Sequence, residues 1–148
     1  MKLVTKHLKD DPWMDDIPLS HDPFPNGSFV GYLVCDGDLA TMARIYHKKG
    51  SKTAELADVY VAYLLRGKVE SGGKKWSHLI MEKILAAAKR RGIHTIWLWV
   101  TADNIPAIKL YEKYGFKVVT MSDALKNKMY DKHRWLKGKK ILRMKLRM

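Results

Sequence analysis

Apolar and polar positions divide the chain into short segments of two periodicities. Residues 29–35 are apolar and β-branched and run into Asp36-Gly37, a pair that favours a tight hairpin turn. Residues 39–47 return as the partner strand, and Lys48-Lys49-Gly50-Ser51 makes a second turn. Residues 54–63 are apolar on both faces, which predicts a central third strand. A short first strand at 2–4 precedes this meander. Residues 10–26 hold Pro12, Pro18, Pro23 and Pro25, which excludes a long regular helix and leaves room for one short turn at 13–17.

The pattern then changes. Beyond a polar stretch at 66–75, Leu79, Ile80, Lys83, Ile84, Ala87 and Ala88 recur at helical spacing. That helix stops at Lys89-Arg90-Arg91-Gly92, a basic last turn followed by glycine. Residues 95–101 read as a strand, and Asn104-Ile105-Pro106 opens a second helix that reaches Tyr114 and ends at Gly115. Residues 116–121 form another strand, 122–138 a polar and partly helical connection, and 141–146 a last alternating strand. This order predicts one α/β domain over residues 1–148, with a mixed, mostly antiparallel central sheet and flanking helices.

Composition narrows the setting. A chain of 148 residues suits one domain, and its 47% hydrophobic content is that of a globular protein. No segment approaches the roughly 20 apolar residues of a membrane span, so no membrane partner is expected. Residues 1–9 lack a signal-peptide core, and the single Cys35 allows neither an internal disulfide nor a cysteine zinc cluster. Cys35 itself reads as a buried small hydrophobe. A reducing, cytoplasmic location is the expectation. The six histidines show no metal spacing, so no metal is expected. The net charge is +13 and unevenly placed: residues 1–38 hold three lysines against seven aspartates, whereas 39–148 are strongly basic. Such a body attracts polyanions.

Two segments could carry chemistry. The first is the strand–loop–helix unit at 54–90. Its loop combines Arg66, Lys68, Lys74 and Lys75 with Gly67, Gly72 and Gly73, just before a helix starting near Trp76. Glycines let backbone approach an anion, and N–H groups at a helix start point towards it. The spacing matches neither a Walker loop nor a dinucleotide fingerprint. The second is the helix at 104–114, in which Asn104 is also a natural N-cap.

The pattern N-x-x-A-x-x-x-Y-x-x-x-G-F at 104–116, following the strand Ile96-Trp97-Leu98-Trp99-Val100, resembles the GNAT acetyltransferase superfamily. Upstream, Ala54-Glu55-Leu56-Ala57-Asp58-Val59-Tyr60-Val61 followed by Arg66-Gly67-Lys68 looks like that family's central strand and the start of its acetyl-CoA loop. The resemblance runs from about Phe29 to Phe116. There are two departures. The loop holds about five residues more than the family spacing, so counting back from Leu79 puts Lys75 and Trp76 where small residues are expected. The region between the first two strands is too short and proline-broken for the family's usual two helices.

The resemblance implies an N-acetyltransferase that uses acetyl-CoA and a primary amine, without metal. It implies cofactor contacts at Val59 and Val61 through their backbone, and at Arg66, Lys68, Gly72, Gly73, Lys74, Lys75, Trp76 and Ser77 around the loop and helix start. Asn104 and Ala107 would contact the CoA arm. Tyr111 stands at the family's usual general-acid position; its other reading is a core aromatic. The base is Glu55, Asp58 or a water chain, with the two carboxylates three residues apart and so expected on opposite strand faces. Trp13, Asp15 and Asp16 lie in the acidic segment that would border the acceptor, which points to a cationic amine such as a polyamine or protein lysine. Aminoglycosides and other small amines fit the same charge. A non-catalytic, nucleic-acid-binding module on this fold is the alternative of another class, and a homodimer is left open.

Overall fold

The computed structural model describes residues 2–7, 25–132, 136 and 138–148. Seven strands form one sheet: β1 (Val4–His7), β2 (Phe29–Cys35), β3 (Asp38–Tyr46), β4 (Thr53–Val61), β5 (Thr95–Thr101), β6 (Lys117–Val119) and β7 (Ile141–Arg147). The spatial order is β1-β2-β3-β4-β5-β7-β6. Neighbours are antiparallel except β4 and β5. That one parallel pair is joined by the crossover helix α1 (Trp76–Arg90). Helices α2 (Ile105–Lys113) and α3 (Asp123–Lys132) complete the domain. The mixed, mostly antiparallel α/β sheet with flanking helices is as expected. Boundaries moved by a few residues: the first strand is Val4–His7, and β6 is shorter than its apolar run.

The alternation along β5 separates the two faces of the sheet. Ile96, Leu98 and Val100 are buried on one face, whereas Trp97 and Trp99 point to the other. The first face carries the main core. Helix α1 buries Trp76, Ile80, Met81, Ile84, Ala87 and Ala88 against Leu33, Ala43, Ile45 and Leu56. Each fully buried isoleucine there contributes ~1.5–3 kcal/mol. Helix α2 adds Ile108, Leu110 and Tyr111 to the same core. On the opposite face, Met121, Met129, Leu136 and Ile141 gather over Trp99, so α3 covers that end of the sheet. The serine before α3 caps it, Ser122 Oγ accepting the Leu125 N–H at 3.2 Å. Cys35 is only half-buried, because it ends β2 beside the exposed hairpin turn.

Gly27 sits where the turn into β2 passes the β3–β4 connection. A Cβ there would lie 2.7 Å from both the His47 carbonyl oxygen and the Lys49 nitrogen. The two segments are stitched by His47 N–H to Ser28 Oγ at 3.0 Å and Lys49 N–H to Asn26 Oδ1 at 3.3 Å. His47 is thus a satisfied core histidine, its Nε2 bonded to the Ser51 carbonyl at 2.7 Å.

Candidate active site

The sheet opens at its centre. β4 and β5 pair only at Thr53↔Thr95, Ala54↔Ile96 and Glu55↔Trp97, and beyond Glu55 the strands part. On the β3 side, the Tyr60 carbonyl accepts from Thr41 Oγ1 at 2.6 Å and the Ala62 N–H donates to the Ala40 carbonyl at 2.8 Å. By alternation, the backbone groups of Val59 and Val61 face the gap left by β5. An extended ligand can add itself there as a strand would.

A bulge shapes the wall of this gap. The β3–β4 register shifts between Met42 and Arg44, and Asp58 takes a left-handed conformation at φ 54°. Asp tolerates that region better than most residues, and bulges re-aim side chains beside working sites. The consequence corrects the expectation of opposite faces for Glu55 and Asp58. Glu55 pairs with Tyr46, and the same Tyr46 hydroxyl donates to Asp58 Oδ2 at 3.3 Å. Both carboxylates therefore stand on one side, because the extra residue turns Asp58 back. Buried Arg44 lies 3.7 Å from Asp58 Oδ2. Burial, then the charge of Asp58, holds the Tyr46 phenol far above its usual range.

Tyr111 approaches from α2 on the other side of the sheet. Its ring packs edge-on against Phe116 at 5.9 Å. Burial, with Asp58 as the second cause, pushes its pKa up to about 12.

The loop after β4 is more ordered than its composition suggests. A 3-10 turn (Tyr63–Leu65) leads to Arg66, whose Nε donates to the Val61 carbonyl at 3.1 Å and whose guanidinium lies over the Tyr60 and Tyr63 rings at 5.9 and 5.7 Å. Then Val69 bridges Lys75 around a tight turn closed by Gly73 N–H to the Glu70 carbonyl at 2.9 Å. The surplus residues of the loop are this small hairpin, with Gly72 and Gly73 at its tip. Lys74 is tied down, its Nζ 2.6 Å from Glu82 Oε2. That contact, a hydrogen bond from Lys74, lowers the Glu82 pKa, and Glu82 also accepts from the Tyr114 hydroxyl at 3.4 Å.

The hairpin delivers the chain to α1 with its start uncapped. No side chain caps Lys75, the Trp76 N–H goes to the Lys68 carbonyl at 3.4 Å, and the helical ladder begins at Leu79 N–H to the Lys75 carbonyl. The N–H groups of Ser77 and His78 are thus left outside the ladder, with Lys75 beside them. Burial, then Lys113 and Lys75, lowers the His78 pKa. The Trp76 side chain belongs to the core. Asn104 caps α2 by accepting the Ala107 N–H at 3.4 Å, which engages both residues in the helix start.

The structure therefore brings Glu55, Asp58, Val59 and Val61 to the gap, and Arg66, Lys68, Lys75 and Ser77 to the loop and helix start, while Tyr111 lies on α2 against the core on the opposite face of the sheet. Trp13, Asp15 and Asp16 lie outside the described residues. No group of three His, Cys, Asp or Glu side chains is arranged for a metal among the described residues. No helix among them is long and apolar enough to cross a membrane. Sequence reading missed Arg44 and Tyr46. Their signal was a charged residue within the apolar run of β3, where a buried guanidinium needs a counter-charge within reach, here the exposed Asp58.

The family model "Acetyltransferase (GNAT) family" matches residues 4–116. A streptothricin acetyltransferase of Streptomyces lavendulae is 32% identical over 90 residues, 61% of this chain and 44% of that protein. The crystal structure of a nourseothricin acetyltransferase superposes with a TM-score of 0.59 at 30% identity, over 81% of this chain and 64% of the other. A Klebsiella pneumoniae protein described as an acyl-CoA N-acyltransferase shares the fold over 99% of this chain and 96% of its own, with a TM-score of 0.67 at 17% identity. The chain thus spans under half of the streptothricin acetyltransferase it matches.

Proposed function

The chain belongs to the GNAT acetyltransferase family, and from that premise we propose that it transfers the acetyl group of acetyl-CoA to a primary amine. The observation that carries this reading is the parting of β4 from β5 after Glu55 and Trp97. It leaves the Val59 backbone and the Val61 N–H for an extended arm, the Val61 carbonyl being held by Arg66, with Asp58 alongside and Tyr111 offered from α2. The residues suit the cosubstrate. Arg66, Lys68 and Lys75 supply positive charge, and Ser77 and His78 supply helix-start N–H groups for a pyrophosphate. Lys74 holds the hairpin through Glu82 and contributes mainly by position. Gly72 and Gly73 let the hairpin turn.

An N–C bond forms as the thioester C–S bond breaks. The amine nitrogen must first give up a proton, and Glu55 or Asp58 takes it, directly or through water. The sulfur leaves with the electron pair of the broken bond. Tyr111 meets that charge with a hydrogen bond and then a proton, and solvent reprotonates the phenolate. A phenol near pKa 12 yields its proton reluctantly to a thiol whose ordinary value is about 8.5. The hydrogen bond to developing charge is therefore the larger part of its contribution.

The acidic segment with Trp13, Asp15 and Asp16 supports a cationic acceptor, a polyamine or protein lysine, on charge alone. The test of the reaction is thiol release from acetyl-CoA with an amine panel. Spermidine, a histone-like peptide, an aminoglycoside and simple alkylamines are the acceptors, each product identified by mass. Amine-dependent thiol release with an acetylated product supports the reading. Thiol release at the amine-free rate with every acceptor overturns it.

A further inference from the structure

Trp97 stands at the apex of the gap, directly paired with Glu55 and, on its other side, with Lys145. Paired residues share a sheet face, so Glu55, Trp97, Lys145 and then Lys117 form one row across it. Arg143, two residues along β7, lies on the same face. Its guanidinium is 4.3 Å from the Trp97 ring centre, and Lys145 Nζ is 4.6 Å from it. Two like charges thus meet on one indole. Neither Arg143 nor Lys145 makes an ion pair among the described residues. The ring offsets part of the repulsion through cation–π attraction. The position is half-buried and beside α3, where interactions between charges are screened less than in open solvent.

We infer that Arg143 and Lys145, held on Trp97, bind an anionic group of the acceptor, and that the acceptor is a small zwitterion with its amine at Glu55 and Asp58 and its carboxylate or phosphate at the β7 cations. This rests on the acetyl-transfer reading of the gap, and it replaces the polyamine or protein lysine favoured by the acidic segment on charge alone with a small zwitterion. The sheet sets the scale. Adjacent strands are ~4.8 Å apart and β5 lies between β4 and β7, so those two backbones stand roughly 10 Å apart, and Arg143 and Lys145, reaching back over Trp97, shorten the span between amine and anion. That suits an ω-amino acid or an aminoalkyl phosphate better than a long polycation, which the paired cations would repel.

The experiment compares three acceptors with one four-carbon frame: 4-aminobutyrate, butylamine and 1,4-diaminobutane. kcat/KM is measured by thiol release, and binding to the CoA-loaded protein by calorimetry. The expected order is carboxylate, then neutral, then diamine, with on the order of tenfold or more between the first and last, as for charge-assisted contacts. Arg143→Gln with Lys145→Gln should flatten the order, and the charge-preserving exchange Arg143→Lys with Lys145→Arg should restore it. A preference for the diamine, or an order unchanged in the glutamine variant, overturns the inference. If no amine is acetylated, the reaction reading fails while the calorimetric order still decides whether the β7 cations select an anion. If the glutamine variant does not fold, the order in the unaltered protein decides.

Discussion

Tyr111→Phe separates chemistry from packing. The substitution removes one hydroxyl and keeps the ring, so the edge-on contact with Phe116 at 5.9 Å survives. No intramolecular hydrogen bond from that hydroxyl holds the fold among the described residues. The stability change should therefore stay within ~1 kcal/mol. The rate is another matter. Loss of a positioned donor to a developing charge costs on the order of 10²–10³-fold, and loss of a general acid up to ~10⁴-fold. In barrier terms that is about 2.7–5.5 kcal/mol. Thiol release at saturating acetyl-CoA gives turnover, and a thermal melt gives stability. A wild-type turnover number in the phenylalanine variant would assign Tyr111 to the core alone. A large loss of stability would also refute the reasoning, by making the hydroxyl structural. The pH dependence has a definite sign. The folded-state value of about 12 lies above the ordinary 10. The protonated phenol is therefore favoured by folding, so its contribution to stability is complete below pH 10 and is lost as pH rises towards 12. Spectroscopic titration of the tyrosines should show one high-titrating phenol missing in the variant.

Replacing Lys74 and Lys75 together with alanine should weaken acetyl-CoA binding by ~1–3 kcal/mol. Calorimetry on the single variants should put the larger share on Lys75, because Lys74 is engaged by Glu82; an effect confined to Lys74 would contradict this. Gly27→Ala should lower stability by ~1–3 kcal/mol, read from chemical denaturation, since the atoms its Cβ would meet at 2.7 Å are backbone and cannot step aside. Glu55→Gln and Asp58→Asn, compared by the pH dependence of kcat/KM, should differ. The variant that removes the base loses the acidic limb of the profile, and two unchanged profiles would leave deprotonation to water.

What could be read in advance depended on how local its cause was. β5 and the α2 cap were legible because alternation and an Asn-x-Pro helix start are encoded within a few residues. The hairpin Val69–Lys75 was not. Its glycines and lysines read as a loose anion loop, and only the Val69–Lys75 bridge and the Lys74–Glu82 contact reveal its order. The bulge at Asp58 was likewise hidden. A left-handed aspartate inside a strand is imposed by the partner strand and the buried Arg44, not by local propensity, so period-two reasoning put Glu55 and Asp58 on the wrong faces. The cations on Trp97 needed the β5–β7 register, which pairs residues about fifty positions apart.

The central claim is that the gap between β4 and β5 takes acetyl-CoA. Isothermal titration with acetyl-CoA, beside duplex DNA at two salt concentrations, tests it most directly. The account predicts micromolar acetyl-CoA binding at one site per chain, weakened by removing Lys75 and little changed by salt relative to DNA. Salt-steep DNA binding with no heat from acetyl-CoA would contradict it and favour a nucleic-acid-binding module on the same fold.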